Sequence, residues 1–404
     1  MATISSTRAP LSRAVSYTTP LEIVAGEGAE LVARDGRRYL DCVSGYGVTN
    51  TGHCHPRVVE AVRAQVGTLL HVSTVGRVAV SASYAERLCA LAPMPDAKVF
   101  FTNSGTEAVE AALKLVRYAS GRPGVVSFGG GFHGRTLGSL SLTTSKASFR
   151  ARHEPLPTGT YHVPYPRREL GPTFEAIERL FVEQVTPERV AAFVVEPVLG
   201  EGGYVVPPGG FLPQLRELCD RHGILLVVDE VQAGFGRTGR LFACQHEGVE
   251  PDLITMAKGI ASGLPMGGIL GRAALLDAWE PGAHGTTFGG NPVACAAAHA
   301  TLDALLDDGL VENAAARGAE LLAGLSAAVA ERPDTLVEAR GRGLMVGLET
   351  VGPDAATALK AALLEDGVIV STCGPDWRVL RFSPPLILTA AQVERVVDAV
   401  RAAA

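Results

Sequence analysis

Ile224-Leu-Leu-Val-Val-Asp-Glu230, followed further along the chain by Asp252-Leu-Ile-Thr-Met-Ala-Lys258, decides the fold. Each is a short continuous apolar run that ends in charge. Such runs suit strands buried on both faces, as in a parallel sheet covered by helices. The first delivers Asp229 to its C-terminal end and the second delivers Lys258 to its own. Ligands of open α/β sheets bind outside those ends.

Working outward, similar runs occur at Ala97–Phe101, Val125–Phe128 and Ala191–Val195, with helical stretches such as Phe211–His222 between some of them. This alternation predicts an α/β fold with a mostly parallel central sheet from about residue 50 to 300. Before it, Leu31–Arg34 and Arg38–Asp41 flank Asp35-Gly36, a hairpin signal, and Pro56 opens a helical pattern. After Asn291 comes a long Ala/Leu-rich helical stretch, then strand-like Gly343–Glu349 and Val368–Ser371. The expected division is therefore an arm and part of a small domain in 1–50, a large domain in 51–300, and a small domain in 301–404. The two chain ends would combine into one smaller α+β unit.

Composition narrows the function. The 404 residues are 47% hydrophobic and 19% charged, an ordinary globular balance. A net charge of −6 without any basic run offers nothing to nucleic acid or to an anionic membrane surface. Seven scattered cysteines without a CxxC pair suit reduced thiols and a cytoplasmic location. No apolar run approaches the about 18 residues of a membrane span. The segment before Glu22 lacks acids and carries Arg8 and Arg13, as transit peptides do, but it reads better as a loose arm or a strand docked on a partner subunit.

Four stretches carry chemistry. In Phe101-Thr-Asn-Ser-Gly-Thr-Glu-Ala108 a strand ends and a helix begins, with capping-box spacing between Ser104 and Glu107. Its first turn offers the N–H groups of Gly105 and Thr106, an anion site suited to phosphate as well as a plain helix cap. Lys258, desolvated at a strand end, is a usable amine nucleophile, and Asp229 beside it suits a pyridinium nitrogen; the two also read as a structural ion pair. In Gly129-Gly-Gly-Phe-His-Gly-Arg-Thr136, Phe132 suits a flat ring and Arg135 a carboxylate. His284-Gly-Thr-Thr-Phe-Gly-Gly-Asn-Pro292 adds two hydroxyls among glycines. Two patterns mislead. Gly234-Phe-Gly-Arg-Thr-Gly239 matches GxGxxG, but no helical pattern follows it, as a dinucleotide site requires. His53-Cys-His55 lacks a second ligand pair at zinc-like spacing and reads as a packed loop.

Taken in order, Ser104–Ala108, Phe132–Thr136, Glu196-Pro197 with Gly200–Gly203, Asp229–Gln232, Ala257–Gly259 and Thr286–Pro292 resemble the class III aminotransferases: acetylornithine, ornithine and 4-aminobutyrate transaminases. The resemblance runs from about Pro20 to Leu386. It implies the pyridoxal 5'-phosphate (PLP) transferase fold of type I and a homodimer with shared active sites. It further implies Lys258 as the Schiff-base lysine and proton shuttle, Asp229 on the pyridinium nitrogen and Gln232 on the ring hydroxyl. Gly105 and Thr106 would hold the phosphate, Phe132 would cover a ring face, and Thr287 would reach the phosphate of the neighbouring subunit's cofactor.

The same resemblance sets expectations for substrate. Arg381, in Leu380–Leu386, would bind the α-carboxylate of glutamate or 2-oxoglutarate. Glu201 would pair with Arg381 when an ω-amino substrate is bound. Arg135 would hold that substrate's distal carboxylate with Thr286 nearby, and Tyr46 would line the pocket. The expected reaction is ping-pong amino transfer between an ω-amino acid and 2-oxoglutarate. A PLP racemase or epimerase of the same family is the alternative; it needs a second base that the sequence does not disclose. A non-catalytic binding protein on this fold fits poorly with Lys258, Asp229 and Gln232 all present.

Overall fold

The computed structural model describes residues 11–404. Residues 1–10, with Arg8 of the N-terminal arm, lie outside the described residues. Among the described residues the strands form three sheets. β1 (Ile23–Glu27), β2 (Glu30–Ala33) and β3 (Arg38–Asp41) make an antiparallel ribbon. The expected turn joins β2 to β3, with Gly36 at φ +87° and Ala33 N donating to Arg37 O.

The central sheet is built from β4 (Ala97–Thr102), β5 (Gly124–Phe128), β6 (Thr160–Val163), β7 (Val190–Val195), β8 (Leu225–Asp229), β9 (Leu253–Met256) and β10 (Gly267–Arg272). Their order is β4-β10-β9-β8-β7-β5-β6. Six strands run one way and β10 alone opposes its neighbours. Sequence pattern did not flag β6 or β10. The second is Gly-Gly-Ile-Leu-Gly-Arg, a composition that disfavours strands. Packing explains the glycines: a Cβ at Gly271 would lie 2.6 Å from Asp252 O, and one at Gly268 2.8 Å from Phe100 O.

Alternate residues along each strand feed two separate cores. Val125, Ala192, Val194, Val227 and Leu253 pack with the helix Gly105–Ser120, while Val126, Phe193, Leu226, Val228 and Ile254 join the cluster that holds the helix Phe211–His222. This double coverage is why the strands read as unbroken apolar runs.

The C-terminal region adds β11 (Leu336–Arg342), β12 (Met345–Thr350), β13 (Val368–Ile369), β14 (Ser371–Cys373) and β15 (Val379–Phe382). β13 pairs in parallel with β3, Val368 opposite Leu40, so the two chain ends share one sheet. The other four form the third sheet, in the order β11-β12-β15-β14. The helical stretch after Asn291 is two helices, Pro292–Asp307 and Leu310–Glu331, broken at Asp308-Gly309. Asn291 caps the first by accepting from Val293 N and Ala294 N at 3.0 and 3.3 Å. Residues 11–21, the described part of the segment expected as an arm or docked strand, contain no strand. Among the described residues no helix is long and apolar enough to cross a membrane.

The Gly234–Gly239 segment is a run of turns, and its Arg237 is wholly buried. The guanidinium donates to Leu344 O at 3.0 Å, to Pro384 O, to Asn50 Oδ1 at 2.6 Å and to Ser44 Oγ at 3.4 Å. It thereby joins N-terminal, central and C-terminal segments beneath the site. Burial pulls its pKa down to about 10, which leaves it charged at neutral pH. Arg237→Met strands these buried acceptors. It is expected to cost about 2–4 kcal/mol of stability, measured by denaturant unfolding. A loss below about 0.5 kcal/mol would show that the acceptors find other donors.

Candidate active site

Loops at the C-terminal ends of β4, β5, β7, β8 and β9 surround a cavity of about 970 Å³. Tyr46, Gly105, Thr106, Phe132, Arg135, Glu201, Asp229, Gln232, Lys258 and Arg381 all line it. Thr286 and Thr287 do not. Thr286 sits behind the wall, accepting from Asn103 Nδ2 at 3.3 Å and Gly289 N at 3.1 Å, and Thr287 is exposed on its loop. Ser16, Tyr17 and Thr18 of the N-terminal segment line the mouth, where Thr18 Oγ1 meets Tyr46 OH at 2.6 Å.

Strand pairing fixes the two central groups. β8 and β9 are parallel, with Asp229 opposite Thr255, so Asp229 and the lysine that follows β9 emerge at the same sheet edge. Asp229 is buried, and both its oxygens have partners. Its Oδ2 meets His133 Nδ1 at 2.7 Å, and its Oδ1 accepts from Thr255 Oγ1 at 2.9 Å and Val231 N at 3.1 Å. Burial works against charge on His133, but the hydrogen bond and charge of Asp229, with the charge of Glu196, outweigh it and raise the imidazole pKa above 6.5. Lys258 is half-buried at the cavity wall. Burial lowers its pKa, only partly opposed by the nearby carboxylates, and its backbone sits at φ +48°.

The helix Gly105–Ser120 aims its N-terminus at the cavity. Ser104 Oγ caps it by accepting from Glu107 N at 3.3 Å. The reciprocal half of the capping box falls one residue earlier, with Glu107 accepting from Asn103 N at 2.6 Å. The loop bearing Phe132 packs onto this turn so tightly that a Cβ at Gly134 would lie 2.3 Å from Thr106 Oγ1. Thr106 Oγ1 itself bonds Thr136 Oγ1 and Ser139 Oγ. Gln232 Nε2 reaches Tyr204 OH at 3.4 Å.

The far side of the cavity is an ion cluster. Glu201 Oε1 accepts from Arg381 Nη1, and Oε2 accepts from Lys146 Nζ at 3.0 Å. Burial would raise the Glu201 pKa, yet the two cations pull it down to about 2. Tyr46, at φ +68°, lies under the Arg381 guanidinium with 4.6 Å between them. Arg135 is exposed at the mouth, stacked 3.7 Å from the Phe149 ring centre.

Sequence pattern assigned no role to His133, Glu196, Thr255 or Lys146. Thr255 was readable in principle, because aligning the ends of two adjacent parallel strands sets it opposite Asp229. Glu196 follows β7 and accepts from Phe132 N at 2.7 Å and Gly200 N at 2.8 Å, so it shapes the loop that carries Phe132. Burial pushes its pKa up to about 7 against the pull of His133. Lys146 sits in a Ser/Thr-rich turn that gives no local signal. The misleading His53 bonds Asp41 Oδ2 at 2.8 Å, and His55 lies 3.9 Å from Asp308.

The donor set suits a phosphorylated pyridine that carries an aldehyde. It has a desolvated amine, an engaged carboxylate and a helix N-terminus on one cavity, with aromatic walls between them. Residues 12–404 match the family model of class III aminotransferases. Acetylornithine aminotransferase of Methanopyrus kandleri is 44% identical over 387 residues, 95% of either chain. Among solved structures, ornithine aminotransferase of Toxoplasma gondii aligns with TM-score 0.88 at 32% identity, over 96% of this chain and 91% of that one. A PLP-bound amine transaminase from an uncultivated Pseudomonas species aligns with TM-score 0.89 at 34% identity, over 98% and 97%.

The His133–Asp229 pair predicts a pH signature. A raised pKa means that folding favours the protonated imidazole. The stabilisation is full below the unfolded value of about 6.5 and fades as pH rises through the folded one. His133→Asn is therefore expected to depress the melting temperature more at about pH 6 than at about pH 9. An equal depression at both would mean that the imidazolium contributes nothing.

Proposed function

The chain belongs to the class III aminotransferases, and from that premise we propose that it moves an amino group between an ω-amino acid and 2-oxoglutarate, with PLP as cofactor. The observation that carries this reading is the buried Arg381–Glu201 pair on the cavity that holds Lys258. A cation already paired with a carboxylate can accept a donor that lacks an α-carboxylate at that position. Released, it can bind the α-carboxylate of glutamate or 2-oxoglutarate. Arg135 at the mouth is the clamp for the distal carboxylate. The acetylornithine and ornithine aminotransferases among the relatives support N-acetylornithine or ornithine as the donor, with 4-aminobutyrate as the third candidate. Racemisation is not favoured, since the relatives transfer amino groups.

Gly105 and Thr106 are assigned to the cofactor phosphate, Asp229 to the ring nitrogen, Gln232 to the ring hydroxyl and Phe132 to a ring face. Bound there, PLP supplies an electron sink that acidifies the donor C–H bond beside nitrogen. Lys258 would anchor it at rest and, once the donor amine has displaced Nζ, would take that proton there with its pKa held down, a contribution of typically about 10²–10⁴-fold. Asp229, pinned by three hydrogen bonds, keeps the proton on the ring nitrogen. Donor and acceptor then use one site in turn, which gives ping-pong kinetics. Thr287 is assigned to the phosphate of a second subunit's cofactor, so the working unit is a homodimer.

Half-reactions of the PLP-loaded protein test the scheme. L-glutamate and one of N-acetylornithine, ornithine or 4-aminobutyrate are expected to discharge the visible absorbance, while a D-amino acid leaves it unchanged. No change with glutamate removes 2-oxoglutarate as acceptor. Lys258→Ala is expected to abolish turnover and the lysine-dependent band; normal turnover would sink the mechanism. Arg381→Ala is expected to raise the KM for glutamate and 2-oxoglutarate by about tenfold or more over any change for the ω-amino donor. An equal rise in both would refute the two-carboxylate scheme.

A further inference from the structure

Glu201 does not serve Arg381 alone. One carboxylate oxygen faces Arg381 and the other faces Lys146. The side chains of Lys146 and Arg381 are 2% and 4% exposed. Lys146 Nζ lies 3.6 Å from the Trp377 ring centre and 5.0 Å from that of Phe149. Those two rings line the cavity and Lys146 does not. The ammonium therefore stands behind the wall, and its charge reaches the site through Glu201.

We propose that Lys146 is a positioning residue that keeps Glu201 paired when a substrate carboxylate takes Arg381 from it. This rests on the two-carboxylate reading and names the group that makes it reversible. With Arg381 closed on Glu201, two cations share one anion, and a positive charge is left over at the cavity wall. When a carboxylate binds Arg381, the four groups form two balanced pairs. Glu201 need only turn Oε1 away, because Oε2 already has its partner. Without Lys146 the same event would leave an enclosed carboxylate alone, and that is strongly unfavourable. Arg381 would then stay closed, and the penalty would fall on α-carboxylate substrates only. Trp377 and Phe149 strengthen the device by shielding the ammonium from water and offering it their ring faces.

Lys146→Met in the PLP-loaded enzyme tests this. Two quantities are measured: half-saturation by glutamate against that by whichever of N-acetylornithine, ornithine and 4-aminobutyrate turns over, and the Kd of unreactive glutarate by calorimetry. The glutamate constant and the glutarate Kd are expected to rise about tenfold more than the donor constant. In a Glu201→Gln background, where no charge needs holding, Lys146→Met is expected to shift that ratio by less than about twofold. Equal weakening of both substrates, no change in either, or the same shift in the Glu201→Gln background would overturn the proposal. If Lys146→Met does not fold, Lys146→Gln is expected to show the shift and Lys146→Arg to restore the ratio; failure of that contrast also overturns it. Glu201→Gln alone separates the two ideas. If it leaves discrimination unchanged, the two-carboxylate reading falls. If it changes discrimination while Lys146→Met does not, only the role of Lys146 falls.

Discussion

Parallel pairing of β8 with β9 is the constraint on which the rest depends. It sets Asp229 against Thr255 and brings Lys258 out at the same edge. Because both strands are buried on both faces, neither charged group has water along the sheet to fall back on. Each must be satisfied at the edge itself. Asp229 takes His133, Thr255 Oγ1 and the Val231 backbone, while Lys258 gives up basicity. The resulting reactivity follows from where the strands stop, and the loops after β4, β5 and β7 complete the ring of donors around that point.

The far wall solves a different electrostatic problem. Lone buried charges are costly, but a carboxylate has two oxygens and can hold two cations at once. Glu201 does so, and the depressed pKa is the consequence. Two chain regions distant in sequence meet there: Lys146 and Glu201 lie near the ends of β5 and β7, whereas Arg381 arrives on β15. The third sheet therefore contributes chemistry as well as packing. Register on β15 is what aims Arg381 inward, since it pairs with Ser371 and Gly347 on either side.

Much of this was legible in the chain because strands covered on both faces print continuous apolar runs, and strand ends print charge. Asp229 and Lys258 stand at such ends, whereas Gly105 and Thr106 follow from the helix start marked by Ser104 and Glu107. β10 did not, because close packing against Phe100 O and Asp252 O demands glycine where propensity asks for branched residues. Arg381 and Tyr46 were reached through resemblance, since no local pattern links residues brought together from opposite chain ends. Lys146 and His133 were opaque for the same reason. A buried lysine in a polar turn looks like a surface lysine until Glu201 and Trp377 are placed beside it.

Two residues that line the cavity carry backbone strain. Tyr46 and Lys258 both hold φ near +50° to +70°, a conformation that costs a non-glycine residue about 1–3 kcal/mol. Neither would persist on a free loop. Tyr46 is held by Thr18 through its hydroxyl and lies against Arg381, and Lys258 follows a strand whose residues are fully enclosed. The two hydrophobic layers on the central sheet, each extending over several strands, therefore do more than stabilise a fold. They hold a lysine in a backbone conformation and a solvent-poor setting that it would not choose. An amine so held stays fixed at the strand end and gives up its proton more readily than a free lysine, which is the property the proposed role of Lys258 calls for.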